Sequence, residues 1–341
     1  MKSEGFFLVK NGDSEKAFEK RGFDILDPEG IDVVVETEAF GLNFADVVMR
    51  HGMYRGAPPK PFIPGYEVVG RVIKLGPNAD PTLLDKRVIA FCRFGGYAKH
   101  IVTQDYATVP IENQPAGELL ALCTQAATAY YMAAYLTNIH EGDRVLVHAA
   151  AGGVGSILIQ LAKLKGAVVF AKVGSEEKEE LVKSLGADHV INYRKDDYYK
   201  KMKELLEGSI LDISFNPAAG KSYKQDRALL GSGGRIVMFG ASELSGAKYG
   251  IFSKLNFVKN MGIVIPVSLM MTSQSILGVN MLNIADEKPK VLQHCLEEVV
   301  KLYLDKKIKP FVGGEYKAEE LVKAHSDLES GMTRGKLAII W

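Results

Sequence analysis

Ala150, Gly152, Gly153 and Gly155, with Val154 between the last two, are spaced to cradle a phosphate. They follow the apolar run DRVLVHAA and open the helix-patterned VGSILIQLAKLKG. The spacing is GxGxxG with Ala150 in its first place. A strand before and a helix after is the context in which this spacing binds a dinucleotide. Missing β-carbons let the backbone approach a pyrophosphate. The helix N-terminus adds free N–H groups and partial positive charge. A glycine cluster alone would signal only turns; the flanking elements are what predict a nucleotide site.

The next apolar run, AVVFAKV, ends near Lys172. Folds that take NAD carry an Asp or Glu about 20 residues after the glycines, to bind the ribose 2′-hydroxyl. An acid there would repel a 2′-phosphate. Lys172, the Gly174–Ser175 turn and Lys178 predict a site that accepts one, so the expected cofactor is NADPH. The plainer reading makes these solvated residues at a helix start; the missing acid weighs against it. His51, His100, His140, His148, His189, His294 and His325 show no metal-ligand spacing. His148 ends the first of these strands and reads as a core residue. Cys92, Cys123 and Cys295 form no CxxC pair and no disulfide framework, and read as buried or half-buried free thiols rather than as catalytic residues or metal ligands.

These residues need elements to hold them. The chain has 341 residues, which predicts two domains. The first third is β-rich: FFLVK, IDVVVETEAF, YEVVGRVIKLG, KRVIAF and YAKHIVT are short runs between Gly and Pro punctuation. From Asp143 strands alternate with helices, which predicts right-handed βαβ units and a doubly wound parallel sheet of Rossmann type. The alternation breaks after Gly240. A helix near Lys290–Leu304 and a closing strand KLAIIW then return to the first domain. The expected division is 1–118 with 266–341 for a discontinuous β-rich domain, and 119–265 for the α/β domain.

Composition excludes other classes. A net charge of +1 leaves no electrostatic footprint for nucleic acid. The N-terminal MKSEGFFLVK has no long apolar segment of a secretory signal. No uninterrupted apolar stretch approaches the about 18 residues of a spanning helix. A cytoplasmic protein without a transmembrane segment is expected.

Longer motifs carry a family resemblance. GLNFADVVMRHGMYRGAPPKPFIPGYEVVGRVIKLG, HAAAGGVGSILIQLAKLKGA and AHSDLESGMTRGKLAII occur in the order of medium-chain dehydrogenases. Together they resemble the zinc-independent, zeta-crystallin-like quinone oxidoreductases. Residues 252–283 are similar to the vesicle amine transport protein branch. The resemblance covers essentially the whole chain. It implies a GroES-like catalytic domain beside the Rossmann domain. Zinc-containing relatives use a Cys, a His and a second Cys; the matching places here are Asn43, Tyr66 and a position near Thr124, beside Cys123. Asn and Tyr are not ligands of that type, so no metal site is expected.

The resemblance also implies site residues. Asn43 matches an Asn that can bond a substrate carbonyl beside the nicotinamide; otherwise it would satisfy backbone in a turn. Tyr54 matches a residue lining the cleft, or closes a loop over the core. Asp46 reads as holding its own helix. Thr128 matches a Thr near the nicotinamide and Tyr193 a Tyr at the adenosine end. Phe239, Gly240 and Ser242 follow the last Rossmann strand, Ser268 lies in PVSL, and Lys336 adds charge near the phosphates. The implied function is NADPH-dependent reduction of a quinone or enone, with no nucleic-acid partner. A 2-alkenal or enoyl reductase and a non-catalytic NADPH-binding scaffold are the alternatives. The apolar stretch after Gly240 implies a homodimer.

Overall fold

The computed structural model describes residues 1–240 and 259–341. They form two units, Met1–Thr128 with Met281–Trp341, and Ala129–Asn280.

Antiparallel strands organise the first unit. Its sheet runs Val312–Lys317, Lys336–Ile340, Asp32–Leu42, Glu67–Leu75, Arg87–Phe91, Thr108–Pro110, and His100–Gln104 also pairs with Asp32–Leu42. Val33, Val35, Phe40, Val68, Val72, Val88 and Ile339 come from strands of five or more residues and fill its core. A hairpin of Lys2–Leu8 and Phe18–Asp24 stands apart from that sheet. The closing strand does return to this unit: Lys336–Ile340 pairs antiparallel with Asp32–Leu42, Leu337 opposite Leu42. That register brings the Lys336 end of one strand to the Leu42 end of the other, next to Asn43.

The second unit holds one wholly parallel sheet, in the order His189–Asn192, Val168–Val173, Arg144–Val147, Leu211–Asn216, Leu230–Met238, Ser275–Gly278. Val145, Leu146, Val147, Val169, Ile213 and Phe215 are fully buried, as strands covered on both faces require. The order reverses between Val168–Val173 and Leu211–Asn216, on either side of Arg144–Val147. Such a reversal opens a crevice at the carboxyl ends of the strands, where α/β sheets bind ligands.

The units divide at 128/129 and 280/281, not at 118/119 and 265/266. Polar contacts explain the first shift: the Thr124 N–H donates to Glu67 and the Gln125 amide to Asn43, tying these helical residues to unit 1. The second shift comes from a strand the sequence reading omits. Ser275–Gly278 is only four residues long, but it extends the parallel sheet beside Leu230–Met238.

One helical run, Ala116–Leu136, is long and apolar enough to cross a membrane by length and composition. Glu118 and Gln125 interrupt its apolar pattern, so it is not the uninterrupted apolar stretch of about 18 residues that the sequence was expected to lack. Its apolar window is 67% buried, which is the behaviour of a core helix.

Candidate functional site

Two groups of residues can do chemistry, one in each unit.

In unit 2 the strand Arg144–Val147 turns into the helix Gly153–Leu164 through the glycine loop. Ala149 adopts a left-handed backbone, with φ of 48°. The Ala150 N–H donates to Lys172 O at 3.2 Å, pinning the loop to the end of the next strand. A β-carbon on Gly155 would lie 2.5 Å from Ala149 O and 2.8 Å from Ala150 Cα. Helix and strand therefore meet only because that side chain is absent. Gly152 is the N-cap, and the Ser156 N–H already donates to Gly152 O. Helix geometry leaves the N–H groups of Gly153, Val154 and Gly155 without intrahelical acceptors. The loop fits a pyrophosphate.

The end of the second strand holds the residues expected to meet an adenosine 2′-phosphate. Gly174 lies so close to Tyr193 that an added β-carbon would be 2.7 Å from the phenol oxygen. Tyr193 is half exposed, and its N–H donates to Val173 O. Ser175 is the N-cap of Glu176–Ser184, and Lys178 stands in that helix's first turn with its N–H on Ser175 O. Phe239 and Gly240 follow Leu230–Met238; the Phe239 N–H reaches Asn216 O at 3.4 Å, and a β-carbon on Gly240 would be 2.7 Å from Pro217 O. Ser242 lies outside the described residues. Ser268 sits in the helix Pro266–Thr272, where its hydroxyl donates to Ile265 O.

A cavity of about 540 Å³ opens at the carboxyl ends of these strands, lined by His148, Lys172, Tyr193, Tyr198, Lys221 and Ser222 among others. Lys172 does not simply line it. Its ammonium lies 3.6 Å from the Tyr198 ring centre and 3.3 Å from His148 Nδ1. On the other side of the imidazole, Nε2 is 2.9 Å from Asp226 Oδ2. An ammonium can only donate, so His148 Nδ1 accepts and the ring proton sits on Nε2, facing Asp226. Burial lowers the His148 pKa, which keeps the ring neutral. Burial raises Asp226, but His148 and hydrogen bonds from Ser214 (2.7 Å) and Asn216 (2.6 Å) outweigh it and hold the carboxyl below its ordinary value. Sequence reasoning missed Asp226 and Tyr198. A lone Asp inside KSYKQDRALL carries no motif, and only the packing of that helix on the sheet buries it.

In unit 1 the site grows from Asn43, the N-cap of Phe44–Arg50. Its N–H donates to Asp46 Oδ2 at 2.8 Å. Asp46 thus holds its own helix, as expected. Burial first and the Glu67 charge next raise its pKa to about 7, against that hydrogen bond. The Asn43 side chain also bonds beyond its own helix. Nδ2 donates to Glu67 Oε1 at 2.7 Å, and Oδ1 accepts from Lys336 Nζ at 3.2 Å and Gln125 Nε2 at 3.4 Å. Lys336 also bonds Leu42 O and pairs with Glu67 Oε1. The side chains of Lys336 and Glu67 are both wholly buried.

This corrects the reading of Lys336 as a phosphate ligand. Its ammonium is consumed inside unit 1, because a buried carboxylate needs a buried cation. Tyr54 is half-buried, its ring centre 6.3 Å from that of Tyr66. Burial raises both phenols above their ordinary pKa. The Tyr66 hydroxyl is buried. Thr128 is buried, and its hydroxyl donates to Thr124 O. Cys92, Cys123 and Cys295 are free and buried, and burial raises all three thiols. Among the described residues no group of three or more His, Cys, Asp or Glu could hold a metal ion.

Comparison with known proteins decides the family. Residues 29–114 match the alcohol dehydrogenase GroES-like domain, and residues 153–297 the zinc-binding dehydrogenase domain. The chain belongs to the medium-chain dehydrogenase/reductase superfamily of oxidoreductases. Within this superfamily it falls in the quinone oxidoreductase and VAT-1-like branch. It is 28% identical to the human synaptic vesicle membrane protein VAT-1 homolog over 310 residues, covering 90% of this chain and 78% of that one. It is 28% identical to rat quinone oxidoreductase over 316 residues, covering 92% and 90%. The crystal structure of Escherichia coli quinone oxidoreductase complexed with NADPH superposes with a TM-score of 0.86 at 26% identity, covering 99% of this chain and 100% of that one. The GroES-like and Rossmann architecture of this medium-chain reductase is therefore shared by its relatives.

Proposed function

We propose that this protein reduces quinones or other α,β-unsaturated carbonyls with NADPH, without zinc. One observation carries the reading: the family's metal-ligand places hold Asn43 and Tyr66, and Asn43 is a fixed amide instead. A Lewis acid is replaced by a hydrogen-bond donor. Bound NADPH would supply the hydride. An enone or quinone that accepts hydride becomes a delocalised enolate or phenolate, which needs less stabilisation than a localised alkoxide. Asn43 is proposed to donate to the oxygen where that charge gathers. Tyr54 is proposed to border the same substrate, and water to deliver the proton. The glycine loop and the Gly174, Ser175 and Lys178 turn are proposed to hold the dinucleotide, with Tyr193 at its adenosine end. The resemblance to an enzyme solved with NADPH supports the cofactor.

NADPH oxidation across a panel of quinones, enones and 2-alkenals, with and without a strong chelator, tests the reading. Turnover that survives the chelator, in protein free of stoichiometric zinc, is expected. Faster turnover of alkenals would move the assignment to a 2-alkenal or enoyl reductase. Tight NADPH binding with no oxidation by any acceptor would leave a scaffold. We also propose a homodimer: Ile263, Ile265, Val267, Met270 and Met271 are exposed close to the edge strand Ser275–Gly278.

A further inference from the structure

The pair Lys336–Glu67 has no assigned task. It is an expensive feature: both side chains are wholly removed from water, and a buried ion pair is seldom more stabilising than apolar packing of the same volume. Gly41 is shaped around it. A β-carbon there would lie 2.5 Å from Lys336 Cε and 2.6 Å from Nζ, and would also strike Glu67 Oε1. The chain keeps a bare backbone in the strand Asp32–Leu42 so that the pair fits.

Hydrogen-bond capacity shows what the pair does to its neighbour. A side-chain amide accepts twice at oxygen and donates twice at nitrogen. Both acceptor places on Asn43 Oδ1 are filled, by Lys336 and Gln125. One Nδ2 proton goes to Glu67 Oε1. Glu67 Oε2 is occupied by the Thr124 N–H, and Lys336 shares Oε1. The carboxylate is therefore held in place from two other sides while it takes that one proton. Among the described residues the second Nδ2 proton has no acceptor. The amide cannot flip, because Oδ1 would then face the Glu67 carboxylate and Nδ2 the Lys336 ammonium.

We propose that Lys336 and Glu67 are positioning residues that fix Asn43 with one amide N–H reserved for the substrate oxygen. The ammonium on Oδ1 also polarises the amide, so the pair returns through a neutral side chain some of the positive charge that a metal would have supplied. This inference rests on the proposed carbonyl reduction.

The test uses the full-length protein and the acceptor it turns over best. Lys336→Met alone strands a buried carboxylate and is expected to misfold. Lys336→Met with Glu67→Gln removes both charges together. That double variant is expected to fold, to bind NADPH within about twofold of the wild type, and to lose kcat by about ten- to a hundredfold, short of the loss of a whole oxyanion donor. Asn43→Ala alone is expected to lower kcat by about a hundred- to a thousandfold, and combining it with the double change to cost less than about twofold more than Asn43→Ala alone, since the pair acts through that amide. A folded double variant with wild-type kcat would make the pair structural only. A tenfold weaker NADPH affinity would return Lys336 to the phosphates. Losses that multiply on adding Asn43→Ala would separate the pair from Asn43.

Gln125→Leu keeps the ion pair and frees one side of Oδ1, so it serves if the double variant does not fold. A kcat drop of about two- to tenfold with unchanged NADPH binding is expected, and an unchanged kcat overturns the proposal. Wild-type turnover in the same assay separates the two levels. No wild-type turnover sinks the proposed function and this inference with it; wild-type turnover with unaffected variants sinks only the positioning role.

Discussion

Lys172 and Lys178 carry the same charge at the same strand end, yet they are held differently. Lys178 rises from the first turn of Glu176–Ser184, while the Lys172 ammonium is drawn onto Tyr198 and His148. Lys178→Ala should therefore weaken NADPH by about ten- to a hundredfold, the worth of one charge-assisted bond of about 1.5–3 kcal/mol. NADH binding should hardly change, and Lys172→Ala should change the cofactor ratio less. Fluorescence titration of both cofactors decides it; equal losses for NADH and NADPH would show that Lys178 does not meet a 2′-phosphate. Asp46 makes a second prediction. Its folded pKa of about 7 lies above the about 3.9 of an unfolded Asp, so its contribution to stability is full below about pH 4 and is lost as pH rises through about 7. Asp46→Asn should remove that loss. Urea unfolding from pH 4 to pH 8 should show the wild type falling by roughly 1–4 kcal/mol relative to the variant, and parallel profiles would refute it. Asn43 could be found in the sequence because a family motif surrounds it. Its partners Glu67 and Lys336 lie 24 and 293 residues away. The register of three strands brings them together, and no local pattern encodes that.

Elements show the same split between local and distant information. The glycine loop was legible because its signal is contiguous: strand, small residues, helix. The four-residue strand Ser275–Gly278 was not, because SILG lacks the length and alternation that mark a strand and gains its identity from the neighbour it pairs with. The loop itself offers a test. Gly155→Ala drives a β-carbon into Ala149 O and Ala150 Cα, both backbone atoms that cannot rotate aside. Such overpacking costs about 1–3 kcal/mol and would displace the loop. Thermal unfolding should fall, and NADPH should no longer protect the variant. A variant with wild-type Tm and wild-type NADPH binding would mean that helix and strand have more slack than the contacts imply.

At the scale of the molecule, the order β-rich, α/β, then return was readable from pattern alone. The exact division was not, since Thr124 and Gln125 look like any apolar helix until their hydrogen bonds to unit 1 are seen. Assembly is the remaining expectation at this scale. Light scattering at micromolar concentration should give about twice the 37.3 kDa of one chain. Replacing Ile265 and Met270 by Lys should halve it without unfolding the protein. A mass of one chain for the unmodified protein would refute the dimer.

The line from Lys172 through His148 to Asp226 also bears on redesign. The common recipe for switching a dinucleotide enzyme from one coenzyme to the other puts an acid at the end of the second strand. Here that end is already mortgaged to the interior: the lysine bonds one nitrogen of an imidazole whose other nitrogen lies beside a wholly buried carboxylate. Lys172→Asp would set two carboxylates on either side of one His148 ring and draw a proton into the sheet. A laboratory lineage selected for NADH would first have to neutralise Asp226, a residue with no contact to the coenzyme in this reading. The coenzyme habit of this protein is thus guarded from behind, and the order in which substitutions are introduced should decide whether a switched descendant folds.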